Sequence, residues 1–236
     1  MAGFAGPNIV TDKLQFLVDS KNDQSYSGSG TTLTDITGNG QDLTLVNTPS
    51  ITDGIITLDS DGFIRKSGSF MGTASQSNVS YNFIMRLNWG FNGYKTIFGF
   101  QQSVSGNAWS RVANLVLNTG DEELEFDLRG GGAQNRDIFQ YNMVAHKLKH
   151  TLITYTFDSG THKLYTNGIL RSTDTASLTT FPAFTGTAGG FAVGNNLGSA
   201  RLLGQGNFSY MSIYLKTLTP AEVFQNFLAV KGRLDL

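Results

Sequence analysis

FSYMSIYLKTLTPAEVFQNFLAVKGR, residues 208–233, is the stretch that decides the fold. Its opening, Phe208 to Leu215, is dense in aromatic and branched side chains and reads as a strand. Thr219-Pro220-Ala221-Glu222, just beyond it, has the makeup of a helix start. The Thr219 hydroxyl can accept from the Glu222 N–H, the Glu222 carboxylate can reach back to the Thr219 N–H, and Pro220 occupies the first helical position, where no N–H is needed. Apolar residues then return at Val223, Phe224, Phe227, Leu228 and Val230, one face of a ~3.6-residue period, until Gly232 offers a stop. One short helix therefore closes a chain whose remaining pattern is β.

Working back from that helix, further segments with strand character are IITL (55–58), VSYNFIMRLN (79–88), KTIFGFQ (95–101), RVANLVLN (111–118), ELEFDLR (123–129), HTLITYTFD (150–158), HKLYTN (162–167) and GFAVGN (190–195). Most alternate or nearly so, at the ~8–12-residue spacing of a sandwich or barrel. Asp158-Ser159-Gly160 separates two of them, and Asn167-Gly168 is the pair that suits a two-residue hairpin turn. LQFLVD (14–19) is a first strand, and residues 20–50 form a Gly/Ser/Thr/Asn-rich segment with apolar footholds at Leu33, Ile36, Leu43 and Leu45. A long irregular segment in a compact domain is either pinned by local hydrogen bonds or functional. Residues 1–12 read as an extended arm broken by Gly3, Gly6 and Pro7, with Phe4, Ile9 and Val10 as apolar points of attachment. No repeat or linker divides the rest, so residues 13–236 are read as one domain.

The 28 glycines, four prolines and only 15% charged residues describe many tight turns, and 17 phenylalanines can fill a sizeable core. A net charge of −1 with scattered basic residues gives no field to gather nucleic acid or an anionic membrane. The absence of cysteine excludes disulfides, thiolate metal sites and cysteine nucleophiles. The N-terminal MAGFAGPNIV lacks the basic and apolar regions of a signal peptide, and no run approaches the ~18 apolar residues of a membrane span. The expectation is a protein made in a cytoplasm that stays soluble and reaches the exterior by lysis or within a particle.

SYSGSGTTLTDITGNGQDLTL (25–45), HTLITYTFDSGTHKLYTNG (150–168), and FAVGN (191–195) with GNFSYMSIYLKTLTPAEVFQNFLAVKGR (206–233), read together, resemble the laminin-G-like branch of the concanavalin A-like jelly rolls. The likeness runs from about Leu14 to Arg233, with residues 60–145 alike in pattern only. It implies an all-β fold, a two-sheet antiparallel jelly-roll sandwich with one short C-terminal helix. Sugar-binding lectins, adhesion modules and glycanases share this fold, so fold alone does not choose among them. The opening, a Gly/Pro arm followed by Ile9-Val10-Thr11-Asp12 and then SYSGSGTT (25–32), is similar to stand-alone virion proteins of tailed bacteriophages.

Glu123, Glu125 and Asp127 are the candidates for catalysis. In a strand they share one face, with ~6.6 Å between successive Cα atoms, and carboxylates so placed can flank a glycosidic bond. Jelly-roll glucanases carry a related row, but with Asp in the centre and Glu at the ends. The simpler reading is a half-exposed strand, because Leu124, Phe126 and Leu128 form the opposite, apolar face. Calcium candidates are Asp35, Asn39 and Asp42 in one loop and Asp59 and Asp61 in another; turn-fixing hydrogen bonds are the competing role. His146 and His150 have the spacing of one helix face, yet His150 begins a strand with His162 across the hairpin; neither pair has an identifiable third metal ligand, and all three read as surface or turn residues. Candidate ligand-binding aromatics are Trp89, Phe91, Tyr94 and Trp109, with Tyr141 a further ring, because a flat ring stacks on a pyranose; the competing role is to cover the sandwich edge.

These features lead to a non-enzymatic bacteriophage virion protein, used in capsid decoration or in tail or fibre adhesion. Its partners would be other virion proteins and host glycans, in a homo-oligomer or not, with no cofactor except calcium. A free lectin-like carbohydrate-binding module is the alternative, and a jelly-roll glycoside hydrolase the third.

Overall fold

The computed structural model describes residues 7–47, 49–58, 62–68, 75–87, 94–101, 111–118, 122–129, 136–180, 190–194 and 206–232. The strands in chain order are β1 (Leu14–Asp19), β2 (Thr32–Leu33), β3 (Leu43–Val46), β4 (Ser50–Thr52), β5 (Ile55–Leu58), β6 (Phe63–Ser67), β7 (Asn78–Leu87) and β8 (Tyr94–Gln101). They continue with β9 (Arg111–Asn118), β10 (Glu123–Arg129), β11 (Arg136–Asn142), β12 (His150–Asp158), β13 (Thr161–Thr166), β14 (Ile169–Thr175), β15 (Gly190–Val193) and β16 (Gly206–Tyr214), before helix α1 (Pro220–Lys231).

The strands form two eight-stranded sheets. The first runs β14-β13-β12-β7-β16-β5-β4, and β1 pairs with β16 beyond the end of β5. The second runs β11-β10-β9-β8-β15-β6-β3-β2. The pairings are antiparallel throughout. This is the expected two-sheet jelly-roll sandwich with one C-terminal helix.

Period-2 alternation supplies the core between the sheets, as strands with one buried face require. Tyr81 and Phe83 of β7 meet Phe98 and Phe100 of β8, and Phe126 of β10 stacks on Tyr155 of β12 with ring centroids 3.6 Å apart. The predicted turns form where residues tolerate positive φ: Ser159-Gly160 joins β12 to β13, and Asn167-Gly168 (φ +51° and +79°) joins β13 to β14.

Helix α1 starts with the predicted capping box, Thr219 Oγ1 accepting from the Glu222 N–H at 3.3 Å and Glu222 Oε2 accepting from the Thr219 N–H at 2.9 Å. Burial would raise the Glu222 carboxyl, but bonds from Lys216 and Thr219 outweigh it and hold the pKa below the ordinary value. The buried face differs from the expected one. Val223, Asn226 and Val230 are buried, whereas Phe224 is 47% exposed. Gly232 ends the helix at a right-handed φ of −75°, so its stop does not use glycine's left-handed freedom.

Val223, Asn226 and Val230 lay α1 on the outer face of the first sheet, beside residues 8–10. Ile9 packs with Leu17, Ile84, Leu152, Tyr210 and Val230, and Val10 with Tyr165, Tyr214, Leu218 and Val223. Asn226 closes this contact, its Oδ1 accepting from the Val10 N–H at 2.8 Å and its Nδ2 donating to Tyr214 Oη at 3.2 Å. Tyr214 Oη in turn donates to the Val10 carbonyl at 2.9 Å. Burial pushes the Tyr214 phenol pKa up, against the lowering effect of hydrogen bonds with Ser212 and Asn226.

Residues 20–50, expected to be irregular, carry β2 and β3, and their footholds Leu33 and Leu43 are fully buried. Strands β4, β6 and β11 lie outside the segments with strand character in the sequence, and β14 is marked there only by the hairpin turn before it. Each is short or mixed in composition, so pairing with neighbours rather than alternation defines it.

Candidate functional site

The loop after β1 and the hairpin β4–β5 enclose an open cleft of about 400 Å³. Ser20, Lys21, Asp23, Tyr26 and Gly28 line one side, and Ile51, Asp53 and Gly54 the other. Each side is fixed by backbone chemistry. Asp19 Oδ1 accepts from the Lys21 N–H at 3.0 Å, the Asn22 carbonyl takes the N–H groups of Ser25 and Tyr26, and Ser25 Oγ donates to the Thr34 carbonyl at 2.8 Å. Asp53 and Gly54, with φ +51° and +70°, form the two-residue turn opposite. A Cβ on Gly54 would lie 2.8 Å from Lys21 Cα, so only glycine lets the hairpin approach the loop this closely. The Ser20 hydroxyl joins the two sides, bonded to the carbonyls of Gly54 and Ser209.

Tyr26 and Ile51 are half-buried against the main core, which fixes an aromatic and an aliphatic wall. Tyr26 Oη meets the Gly30 carbonyl only at 3.5 Å, the long limit of a hydrogen bond. Asp23 and Asp53 are exposed carboxylates beside the half-buried Lys21. A ring wall with acceptors and an ammonium donor around it suits a small ligand rich in hydroxyl groups. None of these cleft residues was singled out in the sequence. The usable signal was Asp53-Gly54 between two β-rich triplets, SIT and IIT, which marks a hairpin.

The anticipated sites fare differently. Glu123 is half-buried, while Glu125 and Asp127 are only 4% and 2% exposed, which corrects the expectation of a half-exposed acidic face. Gln140 of β11 donates to Glu125 Oε1 at 3.2 Å. Asp35 is also buried. Its carboxylate accepts from the N–H groups of Leu17, Thr37 and Gln41 and from the Thr37 hydroxyl, while its own N–H is bound by Asp42 Oδ1 at 2.8 Å. Asn39 donates to the Gln15 carbonyl at 2.9 Å. These three therefore pin their loop to β1, the turn-fixing role. Among the described residues no group of His, Asp and Glu could hold a metal ion.

His162 is 2% exposed rather than a surface residue, stacked on Phe139 and bonded to the Tyr155 hydroxyl at 2.6 Å. Its hairpin partner is Phe157, seven positions along β12 from His150. His146 lies in a short 3-10 turn, and burial first, then Arg171 and Lys149, lower its pKa. Trp89, Phe91, Trp109, Asp59, Asp61 and Phe4 lie outside the described residues. Tyr94 opens β8, with its side chain likewise outside the description, and Tyr141 packs against the core. Ile9 and Val10, expected as particle contacts, are spent on the chain's own fold, while Pro7 is exposed.

A family profile of the laminin G type, described as the concanavalin A-like lectin/glucanases superfamily, matches residues 47–224. No curated protein matches in sequence. Among solved structures, the ligand binding domain of botulinum neurotoxin serotype D, in complex with N-acetylneuraminic acid, superposes with a TM-score of 0.70 at 13% identity, covering 92% of this chain and 50% of that one. The chain thus spans about half the length of the neurotoxin domains it matches. Domain 4 of AbnA, an extracellular arabinanase from Geobacillus stearothermophilus, in complex with arabinotriose, superposes with a TM-score of 0.62 at 18% identity, covering 92% of this chain and 98% of the domain. At these identities the likeness is one of fold.

Proposed function

The chain belongs to the concanavalin A-like lectin/glucanases superfamily, and from that premise we propose that it is a non-enzymatic glycan-binding protein of a bacteriophage virion. The observation that carries the binding role is the cleft between the β1–β2 loop and the β4–β5 turn. It sets Tyr26 beside Lys21, Asp23 and Asp53 on backbone held by half-buried hydrogen bonds. Similar folds in complex with N-acetylneuraminic acid and with arabinotriose support a saccharide as the ligand class. The non-enzymatic reading draws on the burial of Glu125 and Asp127. Carboxylates this far withdrawn from solvent are poorly placed to flank a polysaccharide chain as acid and nucleophile, which supports that reading.

The virion setting draws on the N-terminal opening, similar to that of tailed-phage virion proteins, and on a chain without cysteine. The docked arm refines how that setting is tested. Because residues 8–10 belong to the fold, a deletion that probes particle attachment must stop at Pro7.

A glycan array with the wild type and an Asp23→Ala/Asp53→Asn variant tests the cleft; asparagine tolerates the positive φ at position 53. Binding that the double variant loses supports the proposal. Binding that it retains, or none by the wild type, overturns it. Image reconstruction of particles from the source lysate tests the setting. The sandwich at regular positions supports a virion protein, and its absence from particles leaves a free lectin.

A further inference from the structure

Among the described residues, the ends of the two sheets differ sharply in character. At one side of the sandwich they end in β4 and β2, of three and two residues. Such short strands blunt an edge against pairing. The other two edges, β14 and β11, are seven residues each and lie side by side. On β14 every residue but Ser172 is exposed, Ile169 at 53% and Leu170 at 48%. The strand contains no proline or lysine, and its two charges, Arg171 and Asp174, are of opposite sign.

A bulge breaks the pairing with β13 at Arg171, but Ser172 to Thr175 stay in regular register. The Arg171 Nε donates to the buried Thr166 hydroxyl at 2.7 Å, holding the guanidinium beside the strand. The Asp174 carboxylate accepts from the Thr175 N–H at 2.7 Å. Edges are commonly blunted by proline, lysine, shortness or bulges; β14 carries only the one bulge, at its Arg171 end, and its two charges are self-complementary about a two-fold axis.

We propose that β14 is a homodimer interface, pairing antiparallel with β14 of a second copy and joining the two first sheets into one. A two-fold axis at Thr173 sets Ser172 of each copy opposite Asp174 of the other. Arg171 then stands one position from that carboxylate on both sides of the axis, an isologous contact made twice. Leu170 falls opposite Ala176, so exposed apolar surface is covered at both ends.

The test is sedimentation velocity of the full chain across micromolar concentrations, with wild type, Arg171→Asp, and Arg171→Asp/Asp174→Arg compared. A concentration-dependent dimer is expected for the wild type. Arg171→Asp sets like charges together and should weaken it about tenfold or more, while the double exchange restores opposite signs and the dimer. A monomeric wild type, or a dimer that Arg171→Asp leaves unchanged, overturns the proposal. If the single variant fails to fold by circular dichroism, the double exchange decides: a dimer supports the interface, and a folded monomer overturns it.

Discussion

Replacing Asn226 with alanine should destabilise the protein far more than its place on an outer helix would imply. The side chain is 1% exposed and makes two buried hydrogen bonds, one from the Val10 N–H at the other end of the chain at 2.8 Å and one to Tyr214 Oη at 3.2 Å. Each such bond contributes about 1 kcal/mol net, and a buried N–H left without an acceptor costs about 1–3 kcal/mol more. Losing both bonds and stranding Val10 therefore amounts to about 3–5 kcal/mol, less whatever the arm regains by lifting into water. Urea unfolding followed by circular dichroism measures this as a lower midpoint at unchanged slope. Tyr214→Phe should be non-additive with Asn226→Ala, with a coupling of about 0.5–3 kcal/mol, because both side chains serve Val10. A loss below about 0.5 kcal/mol for Asn226→Ala, or strict additivity of the pair, would refute the reasoning, since it would show that the arm is not held by this network.

Gly54→Ala should cost about 1–3 kcal/mol and abolish any ligand binding in the cleft, because its Cβ would meet Lys21 Cα at 2.8 Å at a φ of +70°; urea unfolding and ligand titration check both effects. Asp35→Ala strips acceptors from three backbone N–H groups and should cost about 3 kcal/mol or more, while a measured loss near zero would mean the 35–42 loop is not pinned from this carboxylate. For Glu222, whose folded pKa lies below its ordinary 4.5, the linked stability is complete above that value and lost as pH falls through the folded pKa. Glu222→Gln should therefore flatten the acid limb of stability against pH, and an unaltered limb in urea midpoints taken at falling pH would count against the assignment.

The local signals were those whose partners lie close in sequence. The Thr219–Glu222 box spans four residues, the Asn167-Gly168 turn two, and the alternation of Leu124, Phe126 and Leu128 needs only its own strand. Each was legible because backbone geometry and a period of two or 3.6 are properties of a short segment. That reading also reached the fold class, since strands at regular spacing with one capped helix leave few architectures.

What covers the second face of a strand is not a local property. Alternation put Glu125 and Asp127 opposite the core but could not tell that solvent scarcely reaches them. Nor could it tell that Asn226, on an apolar helix face, answers a backbone N–H 216 residues away, or that His162 stacks on Phe139 from the other sheet. The cleft belongs to the same class: its two walls come from separate loops that meet because β1 and β5 pair on the same side of β16. Sequence by itself determined the elements and which of their faces is apolar. Only the tertiary structure decided which faces meet, because hydrogen-bond partners and burial depend on strand order, and strand order is set by long-range packing rather than by any one segment.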